Sequence, residues 1–443
     1  MESELRFKGS AEEPRNLVMV SIDSLRADHC GYLGGDSGLT PTLDRFASDG
    51  VAYQTAIAPG PQTFSSMPAV FTGRPRPPTD LESYPQNTHW KRRLAALKEH
   101  LSRFDTLPER LKAAGYETAG ITPNPWTTRA AGFDKGFDRF VDASKPSERT
   151  LTESFLERIP GIDSDTRSME LFRNLLSGSE FFAQWEALKE DIAAAREALS
   201  EPYFLWVFVL DTHYPFLPTR AHRREGSFFS TYYSALRSND PMRGKGGSLS
   251  PRVQKSLFRS YRDSVRASDA FLEYLESTLA EDDPVFLVHS DHGESLGDHG
   301  NYGHNHRQVY EENIHVPYVV ANAGVSASVE EPTSLTAIPR TVESIARSGG
   351  FDPHKPAGPT AITTSECGAN RTLREERYKY LEHEGETELY DLKADPDELN
   401  DVSAQLPELR REMAGRLRRR LRGRSEANGI HESVARIATL DAL

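Results

Sequence analysis

Cysteine is scarce in this sequence. The 443 residues include two cysteines, Cys30 and Cys367, and neither belongs to a Cys-x-x-Cys pair. Two such residues cannot build a disulfide framework. Long apolar runs are missing as well, since no stretch approaches the roughly 18 apolar residues of a membrane-spanning helix. The opening residues show no apolar run behind a basic segment, so we expect no secretory signal and a cytoplasmic location.

Basic residues are fewer than acidic residues in this sequence. Lys and Arg number 53 against 66 Asp and Glu, which gives a net charge of −13. A general nucleic-acid binder normally carries a basic field, so we expect no nucleic-acid partner. The same balance argues against docking on an anionic membrane surface. It leaves the question of catalysis open.

Four short apolar runs predict buried β-strands. They are residues 17–22, 118–122, 203–210 and 285–289, each nearly continuous in apolar or β-branched side chains, as in strands covered on both faces. A fifth run, residues 314–320, is expected to pair with them. Helical patterns lie between the runs, for example at residues 253–280. The alternation indicates an α/β fold with a central, mostly parallel sheet flanked by helices, in which ligands bind beyond the carboxyl ends of the strands.

The composition changes after about residue 325. Residues 372–390 alternate in the manner of β-strands, and a long helix is predicted from Pro407. We therefore expect three parts: an N-terminal extension at 1–15, a main α/β domain at 16–325, and a small C-terminal α+β subdomain at 326–443 with an antiparallel sheet and a basic helix. The arginines of that helix fit a solvated face beside a leucine stripe better than a site for an anionic partner.

The segment Ser290–Gly300 carries the strongest chemical signal. It reads Ser-Asp-His-Gly-Glu-Ser-Leu-Gly-Asp-His-Gly and directly follows a predicted strand. Asp291 and His292 would therefore lie at the carboxyl edge of the sheet, where carboxylate oxygen and imidazole nitrogen suit a divalent cation. Asp23 follows the first strand in the same way. Alone it would be an ordinary helix cap, but with Asp291 and His292 it completes a metal-binding set.

Hydroxyl side chains precede a short apolar helical turn within residues 61–74. Thr63, Ser65 and Ser66 are candidates for a nucleophile, because the start of a helix favours an anion and a cation nearby would activate a hydroxyl. Ordinary capping of the helix is the alternative interpretation. Which of the three hydroxyls would act is left open.

Histidines follow further strand ends. His213 comes after the strand predicted at 203–210, and His304 and His306 lie in the run Tyr302–Arg307. A histidine at such an edge can bind a substrate oxyanion or protonate a leaving group. A single histidine is more often structural, but two clusters near one sheet edge favour a functional role.

Eight segments match recurring segments of one family, in the same order along the chain. They lie at residues 16–28, 42–51, 72–74, 136–138, 211–215, 290–294, 310–317 and 388–401. On these segments the chain resembles the sulfatase group of the alkaline phosphatase superfamily, from about residue 16 to about residue 422. The resemblance implies an alkaline-phosphatase-like sandwich fold and a metal-dependent hydrolase or transferase of esters.

One position departs from the family pattern. Sulfatases of this group resemble one another in a Cys/Ser-x-Pro-x-Arg motif whose first residue becomes formylglycine, and the matching positions here hold Thr63 and Met67. Threonine cannot become formylglycine, whose second hydroxyl expels the sulfate, whereas threonine nucleophiles occur in relatives that act on phosphate. The departure favours a phosphodiester, phosphomonoester or phosphonate ester. A true sulfatase and a catalytically degenerate binder of anionic glycans or lipids remain the alternatives.

The resemblance also implies one divalent metal ion, which could be Mn²⁺, Zn²⁺, Mg²⁺ or Ca²⁺. Its expected ligands are Asp23, Thr63, Asp291 and His292. The histidine makes a pure Ca²⁺ preference less favourable, because Ca²⁺ prefers shells made only of oxygen. Ser24 is a second departure, since many sulfatases have another aspartate there, and a single metal is compatible with the first aspartate alone.

The expected substrate is a small anionic ester. Thr63 Oγ would attack its phosphorus or sulfur in line, with His213 and His304 contacting the transferred oxygens or protonating the leaving group. Water or an acceptor alcohol would then release the group from Thr63. The residues assigned to substrate binding are His306, Arg307 and Asn124. The oligomeric state is left open.

Overall fold

The computed structural model describes residues 14–80, 83–143, 184–304, 308–383 and 385–440. Within these ranges the chain forms strands that belong to four sheets. The strands are β1 (Leu17–Ile22), β2 (Val51–Tyr53), β3 (Ala56–Ile57), β4 (Glu117–Thr122), β5 (Arg139–Asp142), β6 (Tyr203–Val209), β7 (Val285–Ser290), β8 (Ser295–Leu296), β9 (Tyr302–Gly303), β10 (His315–Val316), β11 (Tyr318–Ala321), β12 (Ala327–Val329), β13 (Thr333–Ser334), β14 (Ala361–Thr364), β15 (Arg371–Arg374), β16 (Tyr378–His383) and β17 (Glu386–Asp391).

The helices alternate with these strands. They are α1 (Pro41–Asp49), α2 (Thr63–Thr72), α3 (His89–Arg103), α4 (Leu107–Ala113), α5 (Lys189–Glu197), α6 (Phe228–Met242), α7 (Pro251–Thr278), α8 (Glu311–Ile314), α9 (Ile338–Ser348) and α10 (Pro407–Leu440). The helix predicted at 253–280 is therefore confirmed as α7. None of the described helices combines the length and the apolar character that crossing a bilayer requires.

The largest sheet has eight strands in the order β12-β2-β11-β7-β1-β6-β4-β5. β11 runs antiparallel to both of its neighbours, and the other seven strands all point the same way. The four predicted buried strands are confirmed as β1, β4, β6 and β7. Of the fifth predicted run, β11 joins this sheet, while β10 pairs with β3 in a small separate sheet. The fold is the predicted α/β sandwich with a mostly parallel central sheet.

The register of the central strands determines where their ends lie. β1 pairs with β6 and β7, and Ile22 is opposite both Val209 and Ser290. The three strands therefore end at the same level. Asp23 and Asp291, the next residues of β1 and β7, are brought together at the carboxyl edge of the sheet.

Alternating side chains of the sheet pack into two apolar layers. Val18 and Val20 of β1 pack on one face with side chains of α1, α5 and α7. Leu17 and Met19 pack on the opposite face with α2, α3, α4 and α9. Both faces of β1 are covered, which explains why its sequence is continuously apolar rather than alternating.

A second, smaller sheet follows near the C-terminus. β14, β15, β16 and β17 form an antiparallel meander, and Met413 and Leu417 of α10 pack on its Leu373 and Leu389. This is the predicted antiparallel sheet with a basic helix. Two elements past residue 325 belong instead to the main layers: β12 is the edge strand of the large sheet, and α9 packs on its core. The meander itself begins after α9.

A buried group of charged side chains joins the antiparallel meander to helix α8. Lys379 Nζ of β16 lies 2.8 Å from Glu398 Oε1 and 3.1 Å from Glu311 Oε1 of α8. Arg374 of β15 also pairs with Glu311 at 3.2 Å. Lys379 is fully buried and Glu398 almost so. Removing one partner of such a group leaves the other charges buried and uncompensated.

We predict that Lys379→Ala lowers the free energy of unfolding by about 3–5 kcal/mol, because it removes the buried ammonium group that pairs with both Glu311 and Glu398. The measurement is a urea titration followed by circular dichroism. The matched control is Lys393→Ala at an exposed lysine of the same subdomain, with an expected change within about 0.5 kcal/mol. Equal, small changes in both variants would contradict the proposed role of this ion group.

Candidate active site and metal centre

Three metal-ligating side chains meet at the carboxyl edge of the large sheet. Asp23 follows β1, and Asp291 and His292 follow β7. All three are fully buried, and each offers a ligand atom within 4.8 Å of the others. His292 Nε2 lies 3.6 Å from Asp23 Oδ1 and 3.5 Å from Asp291 Oδ2. The structure therefore brings together the aspartates and the histidine that the sequence placed at this edge.

The surrounding backbone orients these ligand atoms. His292 Nδ1 lies 2.8 Å from the Gly293 carbonyl oxygen, so Nδ1 carries the proton and Nε2 presents its lone pair to the two aspartates. Asp291 Oδ1 accepts the N–H of His292 at 2.9 Å and that of Ser24 at 3.3 Å. Ser24 Oγ donates to Asp23 Oδ1 at 2.8 Å. Each ligand is thus fixed by a second contact.

The electrostatics of this cluster are those of a cation site. Burial and the nearby charge of Asp23 raise the pKa of Asp291 well above its ordinary value. Burial also acts to raise the pKa of Asp23, but His213, His292 and His304 more than offset it and hold that pKa below its ordinary value. Burial and His304 lower the pKa of His292 to about 3, so its imidazole is neutral. Metal binding requires a neutral imidazole and ionised carboxylates, so a bound cation would displace the proton that burial and Asp23 favour on Asp291.

The donor atoms fit a single divalent cation. Asp291 Oδ2 is buried and has no hydrogen-bond donor within the described part of the chain, an orphaned oxygen that a cation would satisfy. His292 Nε2 adds a nitrogen and Thr63 Oγ1 a hydroxyl beside the carboxylates. Carboxylate oxygens and an imidazole nitrogen are both ligand types that divalent cations use in proteins.

Thr63 begins helix α2 and faces the cluster. Its Oγ1 lies 3.4 Å from Asp23 Oδ2 and 3.3 Å from His292 Nε2. Asn124, in the turn after β4, donates from Nδ2 to Asp23 Oδ2 at 2.7 Å and to Thr63 Oγ1 at 3.4 Å. A hydroxyl at the first residue of a helix also lies near its positive dipole end.

The two neighbouring serines have different surroundings. Ser65 Oγ donates back to the Gln62 carbonyl at 3.0 Å, a local contact within the first turn of α2. Ser66 is fully buried, and its Oγ makes no hydrogen bond within the described residues. Thr63 is the hydroxyl of this segment that contacts the metal-ligating side chains.

Two histidines complete the described site. The His304 ring lies with its centroid 4.5 Å from that of His292 and 5.1 Å from that of His213. His304 Nδ1 lies 2.9 Å from Glu294 Oε1. Burial acts to lower the pKa of His304, but the Glu294 carboxylate outweighs it and raises the pKa to about 9. His304 is therefore protonated at neutral pH and presents Nε2–H as a donor.

Three contributions to the site were not assigned by the sequence. Ser24 supports Asp23 from a backbone with φ of 62°, which is uncommon outside glycine. Gly293 lies so close to α8 that a Cβ there would be 2.0 Å from the Glu312 carbonyl oxygen, so this glycine is required by space. Glu294 orients His304. Gly293 and Glu294 belong to the Asp-His-Gly-Glu motif, which is the sequence signal that could have identified them. His306 and Arg307 lie outside the described residues, so their assignment to substrate binding stays a prediction.

Two of the similar proteins, one of them a solved structure, carry the alkaline phosphatase superfamily in their names. A family model described as Sulfatase matches residues 15–346. The chain therefore belongs to the sulfatase family, as its eight matching segments predicted. This membership agrees with the prediction of an ester hydrolase.

The names of individual similar proteins include both a sulfatase and a phosphonate monoester hydrolase. The chain is 24% identical to iduronate 2-sulfatase of Homo sapiens over 73% of its own length, and it spans only 62% of the length of that enzyme. It is 23% identical to the multifunctional alkaline phosphatase superfamily protein PehA of Trinickia caryophylli, over 88% of this chain and 91% of that protein. The phosphonate monoester hydrolase of Agrobacterium radiobacter has a TM-score of 0.62 at 19% identity, covering 93% of this chain and 96% of that one, which shows a shared fold.

We predict that Asp291→Asn weakens divalent-metal affinity by more than about 100-fold, since even residues that only support a metal ligand cost 10- to 100-fold. The affinity is measured by calorimetric titration of the metal-stripped protein with Mn²⁺ and Zn²⁺. The rise in Tm that metal produces in the unchanged protein should be lost as well.

The matched control for this experiment is Asp211→Asn. Asp211 also follows a central strand and is buried, but its Oδ2 accepts the N–H of Trp185. Its metal affinity should stay within a few-fold of the unchanged protein. An Asp291→Asn variant that binds metal as tightly as this control would refute the assignment of Asp291 as a ligand.

Proposed function

We propose that the protein is a metal-dependent hydrolase of phosphate-type esters that uses Thr63 as its nucleophile. The observation that carries the proposal is the position of Thr63 Oγ1, 3.3–3.4 Å from His292, Asp23 and Asn124 at the start of a helix. Among the described residues, neither the Ser65 nor the Ser66 hydroxyl forms a hydrogen bond with these side chains. The same position also supports the choice of Thr63 over either serine.

The chemistry of threonine favours phosphorus over sulfur. A formylglycine hydrate releases sulfate through its second hydroxyl, and Thr63 has a methyl group where that hydroxyl would stand. Met67, fully buried in α2, occupies the place of the arginine of the formylglycine motif. An ester of threonine with a phosphoryl or phosphonyl group is instead released by attack of water at phosphorus.

The side chains of the site can be given roles in such a reaction. When bound, a divalent cation would stabilise negative charge on the transferred group and favour the ionised hydroxyl. Thr63 Oγ forms a bond to phosphorus while the bond from phosphorus to the ester oxygen breaks. Asp23 Oδ2, 3.4 Å away, can accept the proton of the Thr63 hydroxyl.

We assign protonation of the leaving group to the histidines of the site. His304, protonated at neutral pH by its contact with Glu294, donates a proton to the departing alkoxide or a hydrogen bond to a transferred oxygen. His213 Nδ1 lies 2.6 Å from the Tyr214 carbonyl oxygen, which holds the imidazole ring beside that of His304. Water completes the cycle by breaking the Thr63 ester, and an alcohol in its place would make the reaction a transfer.

Sulfuric ester hydrolysis is the second candidate. The matches to iduronate 2-sulfatase and to other sulfatases favour it. The phosphonate monoester hydrolase names and the PehA name favour the phosphate-type reaction. A catalytically degenerate binder is the least supported alternative, because Asp23, Asp291 and His292 all remain in place.

We predict that Thr63→Ala lowers kcat for a generic aryl phosphodiester by at least about 10⁴-fold, because loss of a nucleophile removes the covalent route. Metal binding should persist in part, since both aspartates and His292 remain. The measurement is steady-state release of the aryl alcohol, with metal content determined on the same samples.

Three matched variants sharpen this test. Thr63→Ser keeps a hydroxyl on the same Cβ and should retain measurable turnover, whereas Ser65→Ala and Ser66→Ala should stay within about 10-fold of the unchanged protein, as expected away from the reacting atoms. A fully active Thr63→Ala variant together with an inactive serine variant would show that the nucleophile is assigned to the wrong residue.

A further inference from the structure

Helices α6 and α7 form a hairpin whose outer side is turned to solvent. Residues 243–250 connect the two helices, and Thr231 Oγ1 of α6 lies 3.3 Å from Ser260 Oγ of α7. Ala235 on α6 and Leu257 on α7 are buried on the inner side. We call the exposed side of the two helices the hairpin face. Its residues are Phe228, Phe229, Tyr233, Arg237, Arg252, Lys255, Phe258 and Arg259.

Aromatic side chains protrude from the hairpin face. The exposed fractions are 41% for Phe228, 82% for Phe229, 51% for Tyr233 and 41% for Phe258. Phe229 and Tyr233 are four residues apart and therefore lie on one stripe of α6. These four account for most of the large exposed hydrophobic side chains in the described part of the chain. Exposed apolar clusters of this kind mark interaction sites.

The same face carries positive charge without acidic partners. Arg237, Arg252, Lys255 and Arg259 are exposed, and no carboxylate pairs with them among the described residues. Residues 217–262 contain ten Lys and Arg against two Asp and Glu, but Lys245 pairs with Asp240 and Arg262 pairs with Asp36 and Glu225, so the four cations just named are the positive charge that the face presents in a chain of net charge −13. Because charges are screened beyond about 10 Å at ordinary ionic strength, a partner at this face meets the local charge and not the total.

We propose that the hairpin face docks the protein on an anionic lipid surface. Aromatic rings beside Lys and Arg are the composition of elements that lie at the boundary between headgroups and acyl chains. A polyanion without rings or acyl chains, such as a sulfated glycan, would pair with the cations but would leave Phe228 and Phe229 unburied. A symmetric dimer through this face would bring the four unpaired cations of one copy against those of the other. The lipid surface satisfies both the aromatic and the cationic side chains.

Docking in this way would hold the active site beside the surface. The Tyr214 hydroxyl, next to His213, donates to the Ala235 carbonyl on the inner side of α6. Gly303, next to His304, lies so close to α6 that a Cβ there would be 2.2 Å from the Met242 carbonyl oxygen. The loops of both histidines thus rest on the hairpin. The proposal does not depend on which ester the site hydrolyses.

The test is co-sedimentation of the full-length protein with vesicles. The protein should sediment with vesicles of phosphatidylcholine and phosphatidylserine in equal amounts, and not with phosphatidylcholine alone. The triple variant Arg252→Gln, Lys255→Gln, Arg259→Gln should lower the vesicle partition coefficient by about 100-fold. The double variant Phe228→Ser, Phe229→Ser should lower it by at least about 10-fold, since two rings no longer enter the interface.

The matched control removes three exposed positive charges from α10 through Arg418→Gln, Arg419→Gln and Arg420→Gln. It should sediment like the unchanged protein, and an unchanged Tm checks that each variant is folded. The proposal is overturned if the protein does not sediment with either vesicle, or if the α10 control loses binding as strongly as the hairpin variants. Full retention of vesicle binding in the Phe228 and Phe229 variant, with release by heparin, would identify a polyanion site and also overturn it.

Discussion

Two buried carboxylates with no cationic side chain between them are the constraint on which this structure depends. Asp23 and Asp291 are both fully buried at the ends of adjacent strands, where like charges raise the free energy of the folded state unless a cation or protons neutralise them. Neighbouring groups orient this pair. The Ser24 hydroxyl donates to Asp23, backbone N–H groups donate to Asp291, and His292 turns its unprotonated Nε2 towards both carboxylates. Thr63 and Asn124 contact the same Asp23 oxygen.

The support for this pair extends to the C-terminal meander. The loop that carries His292 is held by hydrogen bonds from Gly293 N–H to the Asn313 carbonyl and from Glu294 N–H to the Glu312 carbonyl, both on α8. Helix α8 is in turn fixed by Lys379 of the small sheet through Glu311. The C-terminal subdomain therefore supports, through α8, the loop that carries His292.

Sequence reasoning predicted the central strands and the meeting of Asp23, Asp291 and His292, because buried parallel strands leave continuous apolar runs and their carboxyl ends share one edge. Composition left Thr63, Ser65 and Ser66 open, since it does not fix the first residue of a helix, and the choice of Thr63 rested on the resemblance to the sulfatase motif. Contacts such as Glu294 with His304, or Lys379 with Glu311, follow from tertiary packing and have no local pattern. The total charge of −13 likewise concealed the basic hairpin face.

The central claim is that a site with Thr63 as its nucleophile transfers a phosphoryl or phosphonyl group rather than a sulfuryl group. The most direct measurement compares kcat/KM of the metal-loaded protein for an aryl phosphodiester, an aryl phosphonate monoester, an aryl phosphate and an aryl sulfate that share one leaving group. The account predicts that at least one phosphorus ester has a higher kcat/KM than the sulfate, and that Thr63→Ala abolishes its turnover. A higher kcat/KM for the aryl sulfate than for every phosphorus ester would contradict it.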